Sequence, residues 1–253
     1  MSDVETVAGV RQWRGLIVTG AWLALASVVL IVAQIAIYLV WPPPEDTVGF
    51  YELLLDNPVY GLVTLDVLYV VSNLLAYLLY FALAVLLWRV SRSGVVVALA
   101  FGVLGMAAYM ASPRAVEMLT LARAWGDADP AERVALIATG DGMLATWMGT
   151  AFDIYYFFNL AVLLIFALLM LRSAVFSRAT AVWGLVAAVL MAVPSNFGLV
   201  GLMFALASLA PWSAFAVLVW RRLLGLVAEA DALAEAETDA DADAADAAPE
   251  AAR

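Results

Sequence analysis

Two aspartates, Asp66 and Asp153, stand inside long apolar runs. Each is followed three residues on by a tyrosine (Tyr69, Tyr156) and then by an asparagine (Asn73, Asn159). A charged side chain at the centre of a bilayer costs about 3 kcal/mol or more, so such residues read first as site candidates. Three chemistries fit this set. Asp, Asn and Tyr can hydrogen-bond between helices and fix their packing. They can line a site for a small solute or cation, with two carboxylates supplying negative charge. They can act as an acid–base pair for hydrolysis within the membrane. The structural reading carries the most weight and hydrolysis the least, because no nucleophile–base motif, metal box or paired glutamates accompany the aspartates. The candidate ligand-binding set is Asp66, Tyr69, Asn73, Asp153, Tyr156 and Asn159. No catalytic residue, metal site or cofactor is expected.

Helical spacing groups these residues. Asp66, Tyr69, Asn73, Tyr77 and Tyr80 recur at steps of three and four and share one helix face. Thr146, Gly149, Asp153 and Tyr156 make a shorter stripe, from which Asn159 departs by roughly 100° of rotation. Depth follows from the next basic turn. Asp66 precedes Arg89 by 23 residues and Asp153 precedes Arg172 by 19, about 35 and 29 Å of helix. A hydrocarbon core is about 30 Å thick, so both carboxylates belong near its outer edge. Asn73 and Asn159 lie deeper. Arg114, Arg123 or Arg133 could fold back onto the acids, although a solvated loop surface is the simpler expectation for all three.

Composition narrows the chemistry. The 253 residues are 66% hydrophobic and 13% charged, half the charged share of an ordinary soluble domain. There is no cysteine and no histidine, and every basic residue is an arginine. Disulfides, thiolate nucleophiles, histidine-ligated metals or haem, Ser-His pairs, lysine Schiff bases and P-loop lysines are therefore excluded. The net charge of −10 is concentrated: nine of the 22 acids lie between Glu229 and Glu250. Neither a basic patch nor a nucleic-acid motif is present, so the expected partners are the lipid bilayer and a small ligand or a partner membrane subunit.

The apolar runs predict an all-α, polytopic transmembrane helix bundle. Six spanning helices are expected at about 16–40, 61–88, 95–110, 143–171, 179–193 and 199–220. The first is too long for a signal-peptide core and reads as a retained helix, bracketed by Trp13 and Trp41 and stopped by Pro42-Pro43-Pro44. Phe50 to Leu55 is expected along the interface. The long outer loop, about 114–142, is too charged to span and is expected to hold one or two short interfacial helices. One starts at Asp129 as N-cap, with Pro130 and Glu132 following. Pro194 to Gly198 reads as a tight turn and Pro211 as a kink. The domains are then a cytoplasmic N-terminus (1–14), a membrane domain (15–222) and an acidic, disordered cytoplasmic tail (223–253).

Eight arginines fall in the N-terminus, the 89–92 and 172–178 turns and the 221–222 stop, which share one side if six helices span. The positive-inside rule places that side, and both termini, in the cytoplasm of a multi-pass cell-membrane protein. Small residues four apart, Ala98/Gly102, Gly184/Ala188 and Gly201/Ala205, permit close helix contacts. An internal repeat is also expected. Asp66 and Asp153 are 87 residues apart, Phe81-Ala82-Leu83 and Phe166-Ala167-Leu168 are 85 apart, and Ser91-Arg92 and Ser177-Arg178 are 86 apart. That offset suggests a duplicated helical hairpin of parallel orientation.

The chain resembles a family of six-helix prokaryotic membrane proteins classed only as a domain of unknown function. The resemblance rests on Arg14-Gly15, the Asp and Asn of the second helix, the turn at Arg89 to Arg92, the long outer loop, and Arg172 to Arg178 before the fifth helix. It covers roughly residues 10 to 225 and implies no catalytic residues. The sequence reading is a non-enzymatic integral membrane protein that binds or senses at the outer leaflet. A small-solute or cation transporter, or a permease subunit, is the alternative.

Overall fold

The computed structural model describes residues 9–247, and among them the regular structure is helical throughout. The first long helix, α1, runs Arg14–Val40. Its buried residues, Ile17, Gly20, Ala21, Ala24, Ser27 and Ile31, recur every three or four positions, so one narrow stripe meets the rest of the protein. Trp22, Val29, Val32 and Leu39 point the other way and are exposed, a face too apolar for water. The chain is an integral membrane protein. Among the described residues, five helical stretches are long and apolar enough to cross a bilayer: Arg14–Val40, Pro58–Leu87, Arg92–Asp127, Pro130–Leu171 and Gly198–Thr238.

Helix α2 (Thr47–Asp56) begins where the Asp46 carboxylate accepts the Gly49 amide. α3 (Pro58–Leu87) starts on Asn57, whose side chain accepts the Tyr60 amide. It contains a π-helical turn, Val63–Val67, that carries Thr64, Leu65 and Asp66 into the buried side together. α4 (Arg92–Met110) is capped by Ser91 and α8 (Arg178–Leu190) by Ser177, each accepting a backbone amide three residues on. The repeated Ser-Arg pair thus has a local cause. Both serines are N-caps, a requirement any two helices can meet independently.

Between them lie α5 (Ala115–Asp127), α6 (Pro130–Trp147) and α7 (Thr150–Leu171). The expected cap at Asp129 is present, accepting from Ala131 and Glu132, with Pro130 in the first turn. Helix four was expected to start near Met143, but α6 holds residues up to Trp147 and the chain breaks at Met148-Gly149. The sequence carries no proline there to mark the break. The fifth apolar run gives α8, only 13 residues long, or about 20 Å. A turn through Pro194–Gly198 follows, with Gly198 at φ +59, a conformation glycine alone adopts without strain.

The last helix, α9 (Gly198–Ala247), keeps Pro211 inside it and does not stop at Trp220. It departs from the expectation of an unordered tail after residue 223. The sequence there is alanine-rich and helix-favouring, and ion pairs hold it to the N-terminal segment. Arg14 meets Asp231 at 3.0 Å and Arg11 meets Glu237 at 2.9 Å, while Arg222 meets Glu229 at 2.7 Å within α9 itself. The part of the acidic tail from residue 248 on, like residues 1–8, lies outside the described residues.

Around the bundle, α1, α3, α4, α7, α8 and α9 follow chain order in a closed ring, with α3 and α7 also touching across it. Apolar side chains gain little from leaving lipid, so close packing and hydrogen bonds hold the ring. A Cβ on Gly20 would overlap Ala82, so α1 and α3 cross at backbone distance. Gly102 admits Tyr77, Gly105 admits Phe158, and Gly184 admits Phe215. Ala98 and Gly102, like Gly184 and Ala188, are buried as their spacing implied. The second layer is α2, α5 and α6, packed on one another around Phe50, Tyr51, Leu54, Ala115, Met118 and Ala122, with Leu65 of α3 joining them.

Candidate functional site

Asp66 is buried, and its carboxylate accepts the backbone N–H of Ala115 at 2.5 Å. Ala115 opens α5, so Asp66 supplies from 49 residues away the cap that Arg114 does not give. The positive end of the α5 dipole favours the charge. The second carboxylate oxygen is buried without a hydrogen-bond partner, although the Trp147 indole faces the group. The π turn and the cap form one device, joining a long helix to the packed outer layer. A second tie lies alongside, the Ser112 hydroxyl donating to the Trp147 carbonyl.

Asp153 is half-buried in the first turn of α7. It accepts from the Asn196 side-chain amide at 2.8 Å, and the same Nδ2 donates to the Met148 carbonyl at 2.7 Å. Asn196 thereby pins the α8–α9 turn to the break between α6 and α7. Both aspartates take their hydrogen bonds from neutral donors of other segments, Asp66 from a backbone amide and Asp153 from a side-chain amide.

The remaining candidates meet between α3 and α7. The Tyr155 hydroxyl donates to Asn73 Oδ1 at 2.8 Å, and the Tyr80 hydroxyl donates to Asn159 Oδ1 at 3.0 Å. Each helix offers an asparagine to a tyrosine of the other. Asn159 further approaches Met191 Sδ at 3.7 Å, and the Tyr156 hydroxyl reaches Ser195 Oγ at 3.3 Å.

A cavity of about 110 Å³ opens beside this network. Its walls include Tyr69 and Asn73 of α3, Tyr109 of α4, Phe152, Tyr155 and Tyr156 of α7, and Trp147 with Met148 where α6 ends. Met191 and Ser195 close it from the turn after α8. One wall is a circuit of four rings: Tyr109–Tyr155 at 4.9 Å between centroids, Tyr155–Tyr156 at 6.1 Å, Tyr156–Phe152 at 4.9 Å and Phe152–Tyr109 at 6.5 Å. Tyr69 also lines the cavity, edge-on to Trp147 at 6.3 Å. Deeper along the stripe, a void of about 10 Å³ is bounded by Asn73, Tyr77, Tyr80, Tyr155 and Asn159, room for roughly one water.

Of the six residues singled out in the sequence, Tyr69, Asn73 and Tyr156 line the larger cavity and Asn159 the smaller void. Asp66 and Asp153 are not among the lining residues; Asp153 is joined to the cavity edge through Asn196, whose amide also holds the Met148 carbonyl, and Asp66 lies one turn before Tyr69 on α3. Sequence reasoning passed over Tyr109, Trp147, Phe152, Tyr155, Ser195 and Asn196 as site residues. Asn196 alone carried a usable signal, a carboxamide in an otherwise uncharged turn between apolar helices. No family model matches the chain, and no curated protein or solved structure matches it either.

Proposed function

We propose that this protein is a six-span integral membrane protein, with both termini in the cytoplasm, that binds a small ligand in the aromatic cavity near the outer leaflet. The observation that carries the reading is the cavity itself: a space of about 110 Å³, walled by six aromatic rings and edged by Asn73 and Ser195. A cavity of about 150 Å³ in a protein core takes a benzene-sized guest. This one therefore suits a guest of about five heavy atoms.

Topology supports the placement. With α8 counted as a sixth crossing, the arginine-rich turns and the paired ends of α1 and α9 share one side, as the positive-inside rule requires. Short as it is, α8 packs between α7 and α9, and a helix shorter than the bilayer is accommodated at modest cost. The α2, α5 and α6 layer then lies outside, along the interface, and Trp147-Met148 roofs the cavity.

Transport is the second reading, favoured by one observation. The cavity and the deeper void share Asn73 and Tyr155 and follow the polar stripe inward. The Tyr155–Asn73 and Tyr80–Asn159 pairs would be the constriction. No catalytic step is assigned to any residue.

The test is ligand-dependent thermal stabilisation of the purified protein against a panel of small amines, alcohols and aromatic solutes. Wild type is compared with Ser195→Phe, which fills the cavity from its turn side. Binding predicts at least one compound that stabilises wild type and loses that effect in the variant. A panel that leaves wild type unmoved, or moves both proteins equally, refutes the reading. Flux of a binding compound into proteoliposomes separates transport from sensing.

A further inference from the structure

We infer that the cavity selects a small, methylated ammonium cation, of the size and chemistry of tetramethylammonium. The inference rests on the reading of the cavity as a ligand site and adds the class of ligand.

Three features of the walls point to a cation. Aromatic faces carry negative quadrupole density and attract a cation within about 6 Å of the ring centre. Here Tyr69 with Trp147 and the circuit of Tyr109, Tyr155, Tyr156 and Phe152 all line one space. Asp66, one helical turn before Tyr69, and Asp153, one turn before Tyr156, lie outside the lining and add negative potential without occupying the space. No arginine lines the cavity, and two of the outer layer are held elsewhere. Arg114 donates to the Pro113 carbonyl, and Arg133 lies over the Trp125 ring and donates to the carbonyls of Trp125 and Gly126. An anion would meet no charged donor in these walls.

Two further features choose a methylated ammonium over a metal ion or a primary amine. Hard cations need several converging oxygens. Among the described residues no three metal-ligating side chains gather at one place, and neither carboxylate lines the cavity. A primary ammonium brings three N–H donors that each need an acceptor once water is left behind. The lining holds no carboxylate, and the amide oxygen of Asn73 and the hydroxyl of Ser195 each already accept one hydrogen bond, from Tyr155 and Tyr156, which leaves each a single lone pair for a guest. A quaternary ammonium needs no acceptor, and its methyl groups suit Met148, Met191 and Phe152.

The experiment measures binding to the full chain in lipid nanodiscs by titration calorimetry and thermal shift. The probes are tetramethylammonium chloride, tert-butanol as a neutral solute of equal heavy-atom count, and sodium chloride at matched ionic strength. The expected result is at least tenfold tighter binding of tetramethylammonium than of tert-butanol, with no effect of sodium. Tyr69→Phe keeps the ring face and should change affinity less than about twofold. Tyr69→Leu removes it and should cost about five- to tenfold. Equal binding of the two organic probes overturns the cation class while leaving the cavity a ligand site. Tetramethylammonium binding that ignores Tyr69→Leu places the cation elsewhere and overturns the proposal. Absence of binding by both organic probes to folded wild type overturns the proposal together with the cavity reading on which it rests. The comparison of charged with neutral probe needs no variant, so a misfolded Tyr69→Leu does not remove the test.

Discussion

Replacing Asp66 by alanine tests whether this carboxylate builds the protein or serves its ligand. In the structure it accepts the Ala115 amide at 2.5 Å at the start of α5. A hydrogen bond to a charged acceptor contributes about 1.5–3 kcal/mol, and the helix dipole about 0.3–1 kcal/mol more. Against this, the other carboxylate oxygen is buried without a partner, and removing the charge relieves its desolvation. The net loss at the α5 N-terminus is about 2 kcal/mol, which at about 1.4 kcal/mol per decade is a roughly thirtyfold rise in local opening. Hydrogen–deuterium exchange of peptides covering residues 115–127 reads this directly. Asp66→Asn keeps an acceptor but loses the charge, so a smaller rise of about fivefold is expected. The reasoning is refuted if Asp66→Ala leaves α5 exchange unchanged. It is equally refuted if ligand binding collapses while α5 stays protected, since Asp66 would then serve the ligand alone and not cap α5.

Two neighbouring glycines of α6 should respond oppositely to alanine. Gly142 is exposed with open space around its Cα, so Gly142→Ala should stabilise by about 0.5–1 kcal/mol, whereas a Cβ on buried Gly140 would press into Tyr51 and Thr47 and cost about 1–3 kcal/mol. Melting midpoints that move in the same direction would contradict the packing described for α2 against α6. Burial, with the nearby Asp141 charge adding to it, pushes the Tyr51 phenol up from 10.0 to about 12, and its hydroxyl donates to the Leu136 carbonyl at 2.8 Å. A raised phenol favours the fold fully below pH 10 and loses that contribution as pH rises towards 12, so the outer layer should loosen in that window. Tyr51→Phe should abolish that part of the alkaline transition in a spectroscopic titration, and an unchanged profile would count against it.

Much of the architecture is legible in local sequence. Long apolar runs form helices in lipid because every backbone amide must be satisfied within its own segment. Ser91, Ser177 and Asp129 stand where helices need an acceptor for free amides, and α4, α6 and α8 begin just after them. The polar stripe of α3 follows from spacing alone. By contrast, the break at Met148-Gly149 moved the start of α7 because no proline or charge run announces it. The continuation of α9 past residue 223 was hidden by composition, since an alanine-rich acidic segment reads equally as a free tail or as a helix until partners such as Arg14 are placed beside it.

The sequence by itself determined that this protein lives in a membrane, that its chemistry excludes histidine, cysteine and lysine, and that polar residues of two helices face inward. Those properties depend on composition and on the 3.6-residue period, both of which are local. Only the tertiary structure decided what those residues touch. It sent Asp66 to an amide 49 positions away and Asp153 to Asn196, and it gave Asn73 to Tyr155 while Tyr156 reached Ser195. Partners of this kind are set by the π turn, by the rotation of α7 against α3 and by the order of helices in the ring, none of which is encoded in the spacing along a single helix. The two aspartates that the sequence singled out hold other segments in place, and aromatic side chains, not carboxylates, line the cavity.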